Sequence, residues 1–245
     1  MQGHNAFNLW DKTKRYFAFS PEEIKSMILA ILILGFVVGF NDGRESFELV
    51  YWLRNLFNCI VVVALAIIVR ESVRRAAALH YGHKVELKLW VIGIGIALIA
   101  ALMSNGKWLL LMYGGMVASI MPIHRLGRFR YGLSAKDLAG VAFMTNLANI
   151  ALAFFFKLMS FLPSPLIQKA IIVNIMFACI NMLPIPPLDG SAVMWGSKTG
   201  YVAALVFTVT ASVLLVKAGI IIALLGSLVL AAVAALVFNL KVELA

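Results

Sequence analysis

The sequence predicts an all-α polytopic membrane protein of about six transmembrane helices, with a short re-entrant or hairpin region at residues 89–121. Of its 245 residues, 62% are hydrophobic and only 13% are charged. A soluble domain is closer to half apolar and a quarter charged. The apolar residues fall in runs of about 20, the length that crosses a bilayer as a helix. Most lysines and arginines stand at the ends of those runs.

The first elements follow from local residue patterns. Residues 1–23 are predicted to form a cytoplasmic leader, and residues 24–241 a single transmembrane domain. The segment Ser20-Pro21-Glu22-Glu23 is typical of a helix start, with a serine cap, an early proline and two acids. It begins a helix over residues 22–40. A second helix, over residues 47–80, is longer than a bilayer, and its second half carries Arg70, Glu71, Arg74 and Arg75.

The middle of the chain is less regular. Apolar stretches at 89–103 and 107–121 have about 15 residues each, so a re-entrant hairpin or strongly mismatched helices are expected. Further helices are predicted over residues 134–160 and 166–182. Residues 183–190 cannot form a regular helix, because three prolines remove backbone donors and fix φ. The last two helices are predicted over residues 199–216 and 219–239.

Basic residues predict the orientation of these helices. If the loop at 124–136, which contains His124, Arg125, Arg128, Arg130 and Lys136, is cytoplasmic, alternating crossings place every basic cluster on that side. Both termini are then cytoplasmic, and the acidic loop of Asp42, Glu45 and Glu48 lies on the opposite side. Orientation and lipid headgroups account for the formal charge of +10, so nucleic acid is not an expected partner.

A few ionisable residues stand inside apolar segments, where they usually face a partner, water or a site. Arg70 and Arg74 are i and i+4, so their side chains share one helix face beside Glu71. Asp189 lies in the proline-containing break, and broken backbone at membrane depth must be buried in protein or line a cavity. In the simpler interpretations, Arg74 and Arg75 snorkel to the interface and Asp189 caps a turn.

Several of these segments match motifs of one family. Residues 70–74, R-E-S-V-R, have the spacing of H-E-x-x-H, and residues 78–86 are similar to A-x-x-Y-G-x-K-x-E. Residues 181–190 resemble the segment N-x-x-P-x-x-P-x-D-G. Thr145-Asn146 resembles the end of a G-P-x-x-N element, although Ala142-Phe143 replaces its Gly-Pro. Over residues 47–195 the chain therefore resembles the site-2 proteases, which are intramembrane zinc metalloproteases.

The resemblance implies roles for the charged residues. Glu71 takes the position of the general base and Asp189 that of the third zinc ligand, while Arg70 and Arg74 replace the two ligand histidines. A guanidinium offers no lone pair, so no metal or other cofactor is expected unless other ligands bind zinc. The resemblance also points to Asn146 and Asn181 as substrate-contacting or structural polar residues. His80 and His83, predicted on an extension of the same helix about 9 residues or ~13 Å from Glu71, are expected at a surface or interface.

Formal charge suggests a role for Arg70 and Arg74 other than binding a metal. Two arginines supply the same +2 as zinc, so we hypothesise that Arg70 and Arg74 pair with Asp189 and Glu71. The pairs would join the long helix to the broken segment.

Three functions follow from these patterns. The first is a catalytically inactive homologue of the site-2 proteases that binds or regulates membrane proteins, with lipids and client transmembrane segments as partners. The second is an active intramembrane zinc protease. The third is a transporter, or an accessory subunit of a membrane complex, and broken helices with charges at membrane depth are typical of transporters. The polar path of such a transporter would comprise Arg70, Glu71, Asp189, Asn146, Asn149 and Asn174.

Overall fold

The computed structural model describes residues 12–44, 47–120, 133–161 and 165–243. Residues 1–11 of the predicted leader, Glu45 and most of the basic loop, including His124, Arg125, Arg128 and Arg130, lie outside the described residues. The elements are α1 (Pro21–Gly39), α2 (Leu49–Tyr81), β1 (His83–Leu89), α3 (Val91–Met103), β2 (Gly114–Ile120), α4 (Ala135–Leu158), a 3-10 turn (Met159–Phe161), α5 (Pro165–Asn181), α6 (Asp189–Gly196), α7 (Lys198–Lys217) and α8 (Ile220–Glu243).

Four helices in the described part of the chain are long and apolar enough to cross a membrane, namely α2, α4, α7 and α8. They indicate an integral membrane protein. Helix α5 has 17 residues, about 25 Å at the usual rise, which is less than the ~30 Å hydrocarbon core. Helix α1 has 19 residues, but its first turns carry Glu22, Glu23 and Lys25. The count of about six spans therefore remains a prediction.

Helix α1 begins at the predicted cap and packs closely on α2. The Ser20 hydroxyl accepts a hydrogen bond from the Glu23 backbone N–H at 3.3 Å, and the Glu23 carboxylate accepts one from the Ser20 N–H at 2.8 Å. This reciprocal capping box satisfies two N–H groups that a helix start leaves free. Further along, a Cβ at Gly35 would lie 2.6 Å from Ile60 Cγ1 of α2. Glycine therefore permits the close approach of the two helices.

Arg75 does not snorkel, contrary to the simpler interpretation of the sequence. Its side chain is buried, and its guanidinium contacts the Glu23 carboxylate and the backbone carbonyls of Phe17 and Ala18. Glu23 also accepts a hydrogen bond from the Leu87 backbone N–H at 3.0 Å. A buried guanidinium needs such partners, since an unpaired charge is costly away from water. The pair therefore joins α1, α2 and β1.

The all-α prediction is wrong at one place, because β1 and β2 pair as antiparallel strands. The β1 sequence H-K-V-E-L-K-L alternates buried and exposed residues, which is the period of a strand. Gly82 ends α2 with φ of 83°, a conformation that glycine adopts readily. His83 therefore lies on β1, and the predicted helical extension beyond Gly82 is wrong.

Residues 89–120, the described part of the 89–121 region, contain one helix, α3, so the alternative of two mismatched helices is wrong. The re-entrant hairpin remains a prediction. Residues 107–113 have no regular structure, and β2 follows. A Cβ at Gly115 would lie 2.5 Å from the carbonyl oxygen of Pro187. The absence of a side chain therefore lets β2 approach the proline-containing segment that precedes Asp189.

The largest hydrophobic cluster lies where α1, α2, α3 and α5 meet, and includes Leu34, Ile67, Ala97 and Phe177. Helix α4 packs on α2, α5 and α6. Helices α7 and α8 form a hairpin that packs chiefly on itself and more sparsely on α4, α5 and α6. Helix α2 is thus the central element, and its second half faces the start of α6.

Candidate functional site

Besides Arg75, three charged residues project from the second half of α2 into the protein interior. Arg70, Glu71 and Arg74 are 0%, 3% and 1% exposed. Helix α2 is continuous through this segment, so Arg70 and Arg74 lie one above the other on the same face. Charged side chains at such burial require partners, because desolvation is costly unless each charge is paired and hydrogen-bonded.

Asp189, the first residue of α6, faces these side chains and is also buried. The chain turns through residues 182–188, as the prolines predict. A Cβ at Gly190 would lie 2.1 Å from the Met182 carbonyl oxygen. The start of α6 therefore packs directly on the end of α5, and this contact positions Asp189 against α2.

Gly190→Ala is expected to lower the free energy of unfolding by about 1–3 kcal/mol, because the added methyl group must displace backbone atoms. The matched control is Gly95→Ala in α3, where a Cβ meets nothing within 4 Å. That change is expected to be neutral or to stabilise by up to about 1 kcal/mol. Denaturant titration in mixed micelles measures both effects, and equal effects would contradict the packing argument.

The ion pairs expected between the long helix and the broken segment are present. The Arg70 guanidinium contacts the Asp189 carboxylate. Arg74 Nη2 donates to both Asp189 oxygens at 3.0 Å, and Arg74 Nη1 donates to the two Glu71 oxygens at 2.7 and 2.9 Å. These four residues, the charged cluster, sum to zero formal charge. The charged cluster joins α2 to α6 through charge-assisted hydrogen bonds.

Tyr113, Asn149 and Asn174 extend the charged cluster. The Tyr113 hydroxyl donates to Glu71 Oε1. Asn149 Oδ1 accepts from Arg70 Nη1 at 2.6 Å, and Asn149 Nδ2 donates to Asn174 Oδ1 at 3.1 Å. The sequence predictions do not include Tyr113, and they include Asn149 and Asn174 only as part of the polar path of a transporter. The sequence does contain one indication of this role. Tyr113 stands inside an apolar stretch, and a buried tyrosine hydroxyl usually has a hydrogen-bond partner.

Asn146 and Asn181 are buried, but their hydrogen bonds lead away from the four charges. Asn146 Nδ2 donates to Thr208 Oγ1 on α7 at 2.8 Å. Asn181 Nδ2 donates to the carbonyl oxygens of Leu111 at 3.2 Å and Phe177 at 2.9 Å. The contacts of both asparagines connect neighbouring elements, as polar residues often do within membrane proteins.

The side chains of the charged cluster do not fit a zinc ion. Zinc takes thiolate, imidazole and carboxylate ligands, and a guanidinium has no lone pair to offer. Both carboxylates already accept hydrogen bonds from arginine. Among the described residues, no group of three or more His, Cys, Asp and Glu side chains is placed to hold a metal. His83 lies on β1, with its Nε2 3.5 Å from Asp137 Oδ2.

The hydrogen bonds of Glu71 also bear on its chemistry. A general base needs an oxygen within reach of the proton that it removes from water. Glu71 Oε1 accepts from Arg74 and Tyr113, and Glu71 Oε2 accepts from Arg74. The side chain is also nearly inaccessible to solvent, so both of its oxygens are engaged within the protein, by Arg74 on the same helix and by Tyr113.

In the described part of the chain, four apolar helices of bilayer length and a buried cluster of charges beside α2 indicate a helical membrane protein. The chain is similar to a protein of Methanocaldococcus jannaschii described as a "putative zinc metalloprotease". The two are 27% identical over 184 residues, which cover 73% of this chain and 86% of that protein. The chain therefore has a metalloprotease-like relative. No family model and no solved structure match it.

Proposed function

We propose that the protein is a catalytically inactive homologue of the site-2 proteases that binds or regulates other membrane proteins. The similarity to a described zinc metalloprotease supports the protease ancestry. One observation carries the inactivity: the guanidinium groups of Arg70 and Arg74 stand at the ligand positions and bind the carboxylates of Glu71 and Asp189. The homologous core would span residues 47–195 of a single transmembrane domain.

In this proposal Glu71 and Asp189 are vestiges of a general base and a zinc ligand, and no cofactor is bound. The arginines supply the positive charge that the two buried carboxylates need, so the helices keep their arrangement without a metal. The retained membrane helices would then contact the transmembrane segments of client proteins without cleaving them. Asn146 and Asn181 would serve as structural polar residues, as their hydrogen bonds to Thr208 and Leu111 favour.

We also propose that both termini are cytoplasmic. Lys136 at the start of α4, Lys198 at the start of α7 and Lys241 near the end of α8 belong to one basic end of the helices. An excess of lysine and arginine favours the cytoplasmic side of a membrane protein. Cysteine labelling of Lys241→Cys and Lys217→Cys in sealed vesicles should modify the two positions from opposite sides.

The test of the proposed function combines metal analysis with client binding. Purified full-length protein, prepared with zinc present, is expected to hold far less than one zinc per chain. Reconstituted with a panel of fluorescent single-span peptides, it should bind some of them more tightly than a polyleucine helix, as measured by energy transfer. No new peptide fragments should appear on gels.

The second candidate, an active intramembrane zinc protease, is favoured by the description of the relative. It requires stoichiometric zinc and peptide fragments, both lost in Glu71→Gln or Asp189→Asn. Those results would overturn the inactive assignment. If no peptide bound more tightly than polyleucine, the binding role would be wrong, whatever the zinc content.

A further inference from the structure

Two adjoining clefts lie beside the α7–α8 hairpin. The first has a volume of about 550 Å³, lies between α4, α6, α7 and α8, and is lined by apolar side chains that include Phe143 and Leu228. The second, of about 610 Å³, lies at the junction of α6 and α7 and is lined by Trp195 and Lys198. Ser197 lines both. Volumes of this size are typical of sites for small molecules.

The first cleft lies where the α7–α8 hairpin packs sparsely on α4. Its walls are almost entirely hydrocarbon, with small residues such as Ala203 where a larger side chain would occupy part of the space. Three of the helices that form it are candidate membrane spans. A hydrocarbon-lined cleft between membrane spans suits an acyl chain, because it offers an occupant no polar partner.

The second cleft carries positive charge at its mouth. Lys198, exposed at the start of α7, lines it directly. Thr199 Oγ1 donates to Asn239 Oδ1 at 2.8 Å, so the start of α7 lies beside the end of α8. Lys241, also exposed, follows two residues after Asn239. Two lysines from different helices therefore stand at the same end of the hairpin.

A third lysine and an indole belong to the same end. A Cβ at Gly196 would lie 2.7 Å from the Ala135 carbonyl oxygen, so the end of α6 contacts the start of α4, where Lys136 is exposed. Trp195, which lines the second cleft, is 75% exposed. Lysine and tryptophan at the end of apolar spans are typical of the level of lipid headgroups.

We propose that the two clefts together bind one anionic glycerophospholipid, with its phosphate beside Lys198 and an acyl chain in the hydrocarbon-lined cleft. The lysines at one end of the clefts match the anionic headgroup of such a lipid, and the apolar walls match its acyl chain. A transmembrane helix of another protein would present apolar side chains along the whole groove and would gain nothing from lysines at its mouth. The inference does not depend on the proposed function.

The experiment titrates delipidated full-length protein with dioleoyl-phosphatidylglycerol or dioleoyl-phosphatidylcholine and counts bound lipids by native mass spectrometry. Phosphatidylglycerol should bind more tightly. Lys198→Ala should weaken its binding about fivefold, the usual contribution of one basic residue near an anionic surface, and should weaken phosphatidylcholine binding less, because choline offsets the charge of that lipid's phosphate. The matched control, Lys217→Ala, removes the exposed lysine at the opposite end of α7 and should change binding less than twofold.

A second variant tests the acyl-chain cleft. Ala203→Leu places a larger side chain in the cleft at a half-buried position and should weaken both lipids at least fivefold. The proposal would be overturned by equal affinities for the two lipids, by equal effects of Lys198→Ala and Lys217→Ala, or by unchanged binding to Ala203→Leu. Both lysines are exposed, so the first two outcomes can be measured even if the leucine variant does not fold.

Discussion

Removing either Arg70 or Asp189 is expected to lower the free energy of unfolding by about 3–5 kcal/mol. Each residue is almost fully buried, and the two are in direct contact. Arg70→Ala removes one of the two positively charged partners of the buried Asp189 carboxylate, and Asp189→Ala leaves two guanidinium groups without their shared partner. Denaturant titration in mixed micelles measures the loss for each variant.

The double variant Arg70→Ala/Asp189→Ala should recover part of that loss, because neither charge is then left without the other. The control is the Arg44–Glu48 pair, whose atoms lie 2.8 Å apart but whose side chains are 43% and 62% exposed. The same cycle on this pair should change stability by less than about 1 kcal/mol at every step. Purely additive losses at Arg70 and Asp189 would show that the buried pair does not link α2 to α6.

Replacing both Arg70 and Arg74 with histidine is expected to create a protein that binds one zinc ion per chain. Two imidazoles at i and i+4 on α2 would stand beside the Asp189 carboxylate, which Arg74 reaches at 3.0 Å in the native protein. The change also removes two positive charges, and a divalent ion restores neutrality next to the two carboxylates. Zinc in structural sites contributes on the order of 10 kcal/mol to folding.

Elemental analysis of the purified variant measures the zinc, and the melting temperature with and without chelator measures its contribution to stability. Two control variants test which side chains bind the zinc ion. Arg70→His alone keeps Arg74 and should hold no zinc, and adding Asp189→Asn to the double variant should abolish binding. A folded double variant with no more zinc than the native protein would show that positions 70, 74 and 189 are not placed to bind zinc together.

These two predictions share one physical basis. Glu71 and Asp189 are buried on different helices, and two like charges so placed would repel each other and drive the helices apart. Two positive charges are needed between them, and zinc or two arginines can supply these charges equally. The arginines differ from zinc in leaving no open coordination position for water, which hydrolysis at a zinc site requires.

Several parts of the structure could be predicted from local residue patterns. Ser20 and Glu23 marked the start of α1, and the three prolines of residues 182–188 marked the break before α6. The pairing of Arg70 and Arg74 with Asp189 was also predictable, because buried charges in apolar segments must find opposite charges. The helix start and the break depend on neighbouring residues. The ion pairs follow from the high free-energy cost of an unpaired buried charge.

Other parts depended on contacts between distant residues. The G-G-M-V-A-S-I segment has weak strand preference by itself and forms β2 because β1 supplies its hydrogen-bonding partner. Arg75 was predicted to snorkel, yet the capping residue Glu23 lies beside it in the folded protein. Tyr113 could not be assigned to the charged cluster, because it lies in an irregular segment whose path the sequence does not define.

The sequence alone determined that this protein is apolar enough for membrane helices, and that its few interior charges must compensate one another. Composition and helix periodicity are sufficient for those conclusions, since lipid offers no hydrogen bonds and no counter-charges. The tertiary structure decided which charges meet, that Tyr113 and Asn149 donate to or accept from these charged side chains, and that a cleft remains beside the α7–α8 hairpin. These features depend on packing between segments far apart in the chain, which local patterns do not specify.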